Sequence, residues 1–270
     1  ERDGVRAWWS PLTAQHPALR VGECRSDAEI CFELAGRFNK DFQFESLDDL
    51  YRFYLKPSGL SLEEVRERNW IMPPQGSDAM PYKRHEKGLL RPDGEPGFNT
   101  PSGKIELKSS MMENWSYDPL PFYTEPDYSP VSRPDLVEKY PLILNTGSRT
   151  IAFFHSEHRQ IKSLRDMNPD PTVELNPETA KEYGIEDKDW IWIENQFGKC
   201  KMRVKLSPVH PKIVMAQHSW WFPEKVYEKD YGAYESNVNV LIPGELYSKT
   251  GFGGSQVKSL MCQISRVETE

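Results

Sequence analysis

The stretch DWIWIENQFGKCKMRVKL, residues 189–206, contains the pattern that decides the fold. In its second half, KCKMRVKL, basic and apolar side chains alternate without a break, which is the period of a strand with one buried face. The side chains predicted to face a core are Cys200, Met202, Val204 and Leu206. Because WIWIE comes before a turn at Gly198, the stretch predicts a β-hairpin.

Short apolar runs on both sides of this hairpin predict further strands. They are LILNT at 142–146, TVEL at 172–175, KIVMA at 212–216 and SLMCQISRV at 259–267. Between two of them, Asn176, Pro177 and Gly184 are typical of the N-cap, first-turn proline and terminal glycine of a two-turn helix. At least six strands joined by short helices predict a small β-barrel.

The first quarter of the chain has a helical pattern. Serines at three positions are each followed three residues later by an acidic residue, which is typical of helix N-termini; the pairs are Ser26 with Glu29, Ser46 with Asp49, and Ser61 with Glu64. In the first of these helices Ile30, Leu34 and Phe38 share a face, which predicts a core helix. Residues 72–101 are rich in Pro, Gly and charge, so we expect a loop and an internal boundary there.

Composition excludes several classes of protein. A net charge of -7 argues against a broad basic surface for nucleic acid or anionic membranes. No apolar run approaches the roughly 20 residues of a membrane helix.

The four cysteines lack metal-ligand spacing, so we expect reduced and mostly buried thiols. Since the N-terminus has neither a signal-like apolar region nor an initiator Met, we expect a chain cut from a longer protein or processed.

The stretch TGSRTIAFFHSEHRQ, residues 146–160, is a candidate anion site because it follows a predicted strand. Hydroxyls, a glycine and Arg149 at a strand end suit a phosphate or a planar heterocycle. The alternative is a solvated connection to a helix around 157–164. His155 and His158 could share a helical face and bind zinc with Glu157 as base, although this spacing differs from that of the HExxH hydrolases.

Two downstream segments are also candidates. Gln217 to Glu224, QHSWWFPE, contains three adjacent aromatic residues that must pack in a core, stack on a ligand or form a contact surface. The last option would make the chain a non-catalytic interaction or assembly module that uses a Trp220–Trp221–Phe222 patch. Asn237 and Asn239 point to one face if their segment is extended, where they could read a heterocycle edge or bridge a turn.

The order of these segments is more specific than any one of them. FNTPSGKIEL at 98–107, the stretch at 146–160, PTVELNPETAKEYGIEDKDWIWIENQFGK, HSWWFPE, NVNVLIPG and KSLMCQI together resemble the C-terminal third of molybdopterin oxidoreductase catalytic subunits, the dimethyl sulfoxide reductase family. WWFPE is most similar to the thiosulfate and polysulfide reductase, acetylene hydratase and pyrogallol transhydroxylase group.

The resemblance implies an α+β fold with two parts. Residues 96–270 would form a double-psi β-barrel, the molybdopterin dinucleotide-binding domain. Residues 1–95 would be a mainly helical and loop segment that belongs to the preceding domain of the full subunit.

The resemblance also implies a cofactor, molybdopterin guanine dinucleotide with Mo or W. The residues it assigns to cofactor binding are Thr146, Gly147, Ser148, Arg149, His155, Ser156, Arg159, His218, Ser219, Trp220, Asn239 and Lys258. The metal ligand and the cysteines of an iron–sulfur cluster are expected in a missing N-terminal part, so this chain alone is expected to be inactive.

The expected partners are that N-terminal part and an iron–sulfur electron-transfer subunit, with neither nucleic acid nor direct membrane insertion. Anaerobic respiration in a bacterium is the implied setting, and the resemblance leaves cytoplasm and periplasm open.

Overall fold

The chain forms two compact units, Glu1–Leu107 and Lys108–Glu270. A computed structural model describes residues 4–6, 12–68, 70–71, 82–244 and 255–268. The first third of the predicted loop, residues 72–81, lies outside the described residues, and residues 82–101 form turns and bends as expected. None of the helices in the described part combines the length and hydropathy that crossing a membrane requires.

The first unit contains a small sheet and three helices. Strands β1 (Gly4–Arg6), β2 (Leu12–Gln15) and β3 (Trp70–Ile71) pair antiparallel in that order. The helices are α1 (Asp27–Phe38), α2 (Leu47–Leu55) and α3 (Leu62–Arg68). Its small core cluster consists of Tyr51, Leu55, Leu62 and Val65.

Each of these helices begins after the serine that the sequence predicted. Ser26 and Glu29 cap α1 reciprocally, since the Glu29 N–H donates to Ser26 Oγ at 3.2 Å and the Ser26 N–H donates to Glu29 Oε2 at 2.7 Å. Ser46 and Ser61 accept from the corresponding backbone N–H groups of α2 and α3. The caps satisfy donors that have no partner inside a helix.

The prediction that α1 is a core helix is wrong for the described structure. Ile30 and Leu34 are both 45% exposed and Phe38 is 85% exposed. The amphipathic pattern correctly predicted a helix, but no described element of this unit buries that face. A helical period therefore indicated the secondary structure and not the burial.

The second unit is a closed barrel of six strands. They are β4 (Leu142–Ser148), β5 (Thr172–Leu175), β6 (Trp190–Glu194), β7 (Lys199–Leu206), β8 (Ile213–Gln217) and β9 (Leu260–Arg266). The short helices α4 (Ser110–Asn114), α5 (Lys162–Arg165), α6 (Pro177–Glu182) and α7 (Ala233–Ser236) precede or connect them. The predicted barrel, hairpin and strands are confirmed, and Asn176 caps α6 as expected.

Strand directions divide the barrel into two ends. The order around the barrel is β4-β8-β5-β7-β6-β9. The pairs β4/β8 and β5/β7 are parallel, while the other four neighbouring pairs are antiparallel. Strands β4, β6 and β8 therefore end where β5, β7 and β9 begin. This end is called the β4 rim below.

The barrel interior is filled by the predicted alternating side chains. Cys200 and Met202 are fully buried and Val204 is 2% exposed, as the period-two pattern predicted. Leu206 is 36% exposed, so its predicted burial is wrong; it occupies the last paired position of β7. The core cluster comprises Leu142, Leu144, Val173, Leu175, Ala180, Ile185, Ile191, Ile193, Cys200, Met202, Val204, Val214, Ala216, Val238, Leu241, Leu260, Cys262 and Ile264.

The four cysteines are free, but only half of them are buried. Cys200 and Cys262 lie in the barrel core, where burial raises the pKa of Cys200 to about 12 and also raises that of Cys262. Cys24 and Cys31 are exposed in the first unit, so the expectation of mostly buried thiols is wrong for them. A thiolate is the reactive form, and burial suppresses it in the barrel pair.

We expect iodoacetamide at pH 8 to alkylate Cys24 and Cys31 in the native protein and to leave Cys200 and Cys262 unmodified, because only the first pair is accessible. Peptide mass spectrometry of the labelled protein checks this. The same labelling in 6 M guanidinium is the control and should modify all four thiols. Native labelling of Cys200 at a rate similar to that of Cys24 would contradict the buried barrel thiol.

Candidate functional site

Three segments converge at the β4 rim. Because β4 and β8 are parallel neighbours, the loop after Ser148 and the segment after Gln217 leave the barrel side by side. The segment before Leu260 enters at the same end, because β9 is antiparallel to β4. Residues far apart in the sequence are thereby brought to one edge.

Two hydrogen bonds tie the segment before β9 to the end of β4. The Thr146 hydroxyl donates to the Val257 carbonyl at 2.6 Å, and the Ser259 N–H donates to Asn145 Oδ1 at 3.1 Å. These bonds bring the exposed Lys258 to the β4 rim. Thr146 is 5% exposed and uses its hydroxyl inside the protein, so its part at the rim is to hold this segment.

A β-bulge interrupts β4 at Gly147. The register with β8 shifts between Thr146 and Ser148, and Gly147 has φ 85. A positive φ of this size favours glycine, and a bulge leaves the extra residue outside the ladder. Gly147 and Arg149 are both exposed. The predicted anion loop therefore presents backbone and a guanidinium at the rim.

His218 joins the two loops through both nitrogens of its ring. Nδ1 lies 3.0 Å from the Ser148 carbonyl oxygen, and Nε2 lies 2.9 Å from the His155 carbonyl oxygen. A carbonyl oxygen only accepts, so both contacts are hydrogen bonds together only when the ring carries both protons. His218 thus connects the two loops, and both of its ring nitrogens face carbonyl oxygens of the protein backbone.

Two more side chains bind the backbone of the opposite segment. The Trp221 indole N–H donates to the Ser156 carbonyl at 2.6 Å, and Arg159 Nη2 donates to the Ser219 carbonyl at 2.7 Å. Together with the two contacts of His218, these bonds form what we call the two-loop staple. His155 and Ser156 stay exposed beside it, whereas Ser219 is half-buried.

The predicted helical pairing of His155 and His158 is wrong. Their φ values are 50 and 74, which no right-handed helix contains, and the helix that follows is only α5, which begins at Lys162. Within the described ranges, no group of three or more His, Cys, Asp or Glu side chains is placed to hold a metal ion. The zinc hydrolase interpretation thus loses the helical face on which it depended.

The three adjacent aromatic residues do not form a contact surface. Trp220 is 1% exposed and Phe222 is 6% exposed, and both pack with Phe153 and Ala152 in a small cluster. Only Trp221 is half-buried. The predicted aromatic contact patch is therefore wrong, because burial removes two of its three rings from solvent.

The segment with the paired asparagines is helical and not extended. Val238–Leu241 form a 3₁₀ helix, and Asn237 Oδ1 accepts from the Asn239 N–H at 3.0 Å. The expectation of two amides on one extended face is wrong because Asn237 is the N-cap of this helix. Asn195, in the β6–β7 turn, donates from Nδ2 to the Leu241 carbonyl at 2.8 Å. The exposed Asn239 therefore lies on the rim side of the barrel.

A cleft beside the rim brings parts of the candidate segments together with residues of β5 and β7 that the sequence did not single out. It measures about 580 Å³, begins at Ser148 and Arg149 and runs along β5 and β7. Gln217 is 2% exposed, and its Oε1 accepts from the Thr172 N–H at 3.0 Å and the Thr172 hydroxyl at 2.9 Å. Among the described residues its Nε2 has no acceptor. Gln217 is the last residue of β8, and this position at a strand end is the feature of the sequence that could have indicated its place at the rim.

The rim is basic although the chain is acidic overall. Arg149 and Lys258 are exposed there, and Arg159 is 1% exposed behind them. Burial, and to a lesser extent the neighbouring Arg165, lowers the pKa of Arg159 to about 10, so the side chain remains charged at neutral pH. Arg159 and Trp220 are both enclosed by protein, in contrast to their predicted role as ligand contacts.

The barrel matches a known domain family. Residues 142–255 match the molydopterin dinucleotide binding domain. The barrel is a domain of this family. The chain is homologous to acetylene hydratase from Syntrophotalea acetylenica, with 33% identity over 83% of this chain and 30% of that protein. A dopamine dehydroxylase from Eggerthella lenta is 34% identical over 74% of this chain and 21% of its own length.

A solved structure agrees with this family assignment. Acetylene hydratase from Pelobacter acetylenicus aligns with a TM-score of 0.77 and 27% identity, over 99% of this chain and 37% of that one. The chain thus spans well under half the length of the relatives that it matches. The structural alignment includes residues of both units of this chain and not only the molydopterin dinucleotide binding domain.

We expect Trp221→Phe to loosen the loop that contains Ser156, because the variant keeps the ring and loses its N–H donor. A net hydrogen bond contributes about 0.5–1.5 kcal/mol, so local opening should increase by roughly two- to tenfold. Limited trypsin digestion, followed by mass spectrometry of the cut after Arg149, measures this opening. Trp192→Phe on β6 is the matched control and should leave that cut unchanged; equal cutting in all three proteins would contradict the staple.

Proposed function

We propose that this chain binds molybdopterin guanine dinucleotide at the β4 rim, as the C-terminal part of the catalytic subunit of a molybdenum or tungsten oxidoreductase. The observation that supports this most directly is the convergence of three segments, two of which carry an exposed cation, at one rim of a domain from the molydopterin dinucleotide binding family. A dinucleotide carries a pyrophosphate, which requires local cations in a protein with a net charge of -7.

The residues at the rim fit such a group chemically. Arg149 and Lys258 are exposed cations, while Ser148 and Ser156 supply hydroxyls. Gly147 has open space where a Cβ would stand, so a ligand can approach the backbone closely. Gln217 has a buried Nε2 with no acceptor within the described ranges, and this donor lies on the cleft that begins at the same loop.

The bound group would supply the redox-active metal and the pterins that tune it. In our proposal Arg149, Lys258 and the backbone around Gly147 hold the pyrophosphate. His155 and Ser156 lie along the pterin, and Asn239 adds an amide from the neighbouring turn. His218 and Thr146 position these segments, because their polar atoms bond to the protein backbone.

The metal-ligating residue, any iron–sulfur cluster and most of the substrate pocket would lie in the rest of the subunit. An iron–sulfur electron-transfer subunit is the proposed further partner. We also infer a double-psi topology for the barrel, which is supported by its two parallel strand pairs among antiparallel neighbours. Residues 1–95 would belong to the preceding domain of the full subunit.

We expect the purified full-length protein to release guanine nucleotide and pterin on acid hydrolysis, together with Mo or W. Arg149→Ala should reduce the released GMP per protein about tenfold or more, because a hydrogen bond to a charged group contributes about 1.5–3 kcal/mol. Nucleotide chromatography and elemental analysis of the same samples measure both quantities.

Arg37→Ala is the matched control, since it removes an exposed arginine from α1 in the first unit. Its cofactor content should equal that of the unmodified protein. A full-length protein that contains neither pterin nor GMP after expression with an intact cofactor pathway would refute the proposed function. Equal losses in Arg37→Ala and Arg149→Ala would refute the assignment of Arg149.

A further inference from the structure

A buried guanidinium lies between two aromatic rings behind the β4 rim. Arg159 is 1% exposed, and its Cζ lies 4.4 Å from the centroid of the Phe153 ring and 4.9 Å from that of Trp220. The two rings meet edge to face with centroids 5.8 Å apart. Such positions over aromatic faces are favourable for a cation, more so when water is excluded.

The same guanidinium connects the backbones of both loops. Nη1 donates to the Glu157 carbonyl at 2.9 Å, and Nη2 donates to the Ser219 carbonyl at 2.7 Å. Its planar fork makes these two bonds in fixed directions, which a flexible ammonium group does not reproduce. One side chain therefore fixes the distance between the loop after β4 and the segment after β8.

The charge of Arg159 has no counter-ion within the part of the chain that the structure describes. Its neighbours there are rings, carbonyl oxygens and Arg165, whose charge lowers the pKa of Arg159 in addition to the effect of burial. Arg159 Nε has no acceptor among the described residues. A buried charge without a carboxylate partner is costly, so a protein that is organised only for stability gains little from it.

Arg165 provides a comparison within the same cluster. Its Cζ also lies 4.9 Å from the Trp220 ring centroid, but its guanidinium pairs with Glu224 at 3.0 Å. Two arginines thus flank one indole, and only the more exposed one is neutralised by a described carboxylate.

We propose that Arg159 is a positioning residue for the rim: it holds the segment of His218 and Ser219 against the loop of His155 and Ser156, and its uncompensated charge favours an anionic ligand there. It does not touch that ligand. The inference rests on the proposed function for the identity of the anion. Its mechanical part, that Arg159 holds the two loops together, depends only on contacts within this chain.

The test uses Arg159→Met, which keeps the side-chain volume, and Arg159→Lys, which keeps the charge, in the full-length protein. Hydrogen–deuterium exchange measures the two loops, and released GMP per protein measures retention of the cofactor. Arg159→Met should raise exchange in residues 155–161 and 218–222 about tenfold, as expected for the loss of hydrogen bonds to a charged donor, with β4 and β8 unchanged. It should also lower released GMP several-fold.

Arg159→Lys separates the two roles. We expect its released GMP to lie closer to the unmodified protein than to Arg159→Met, because the positive charge remains, while exchange in 218–222 stays elevated because the fork is lost. Arg165→Met is the matched control, and it should change neither the released GMP nor the exchange at residues 155–161. If Arg159→Met does not fold, the exchange of Arg159→Lys decides the mechanical part.

Unchanged exchange in both Arg159 variants would overturn the proposal, and so would equal effects of Arg159→Met and Arg165→Met. Met and Lys variants that retain equal cofactor would overturn the role of the charge. An unmodified protein that lacks pterin would refute the proposed function and overturn the anion part, while the exchange results would still decide the positioning role. The two failures are therefore distinguishable.

Discussion

The parallel pairing of β4 with β8 is the constraint on which the site depends. Leu144 pairs with Val214 and Thr146 with Ala216, so both strands end at the same edge of the barrel. A parallel pair requires a long crossover, which the chain provides through α5, β5, α6, β6 and β7. If β8 ran in the opposite direction, the segment from His218 to Phe222 would leave the barrel at its other end.

The loops at the rim are irregular, and irregular backbone needs partners for its carbonyl groups. His218, Trp221 and Arg159 supply them from side chains that are themselves held by burial or by packing. The apolar rings of Phe153 and Trp220 exclude water from this arrangement. Arg149 and Lys258 thereby lie at one edge of an acidic protein, on segments that are already held in place.

Local patterns in the sequence predicted the elements and caps well. The alternation in β7, the serine caps of the first unit and the proline–glycine punctuation of α6 all correspond to the structure. These features depend on interactions over two to four residues.

The spacing of polar residues did not predict the conformation of the loops. His155 and His158 have left-handed backbones, and Asn237 caps a 3₁₀ helix, because tertiary contacts of their loops determine those conformations.

The sequence by itself determined that the chain contains a small barrel of at least six strands, that Cys200, Met202 and Val204 face its interior, and that a basic loop follows β4, since strand periodicity and turn chemistry are local. Only the tertiary structure decided which predicted residues are exposed at the β4 rim and which hold the loops. Arg159 and Trp220 appear polar or amphipathic in the sequence, yet both are 1% exposed. Burial and pairing depend on strand neighbours that are dozens of residues apart, and no short stretch encodes them.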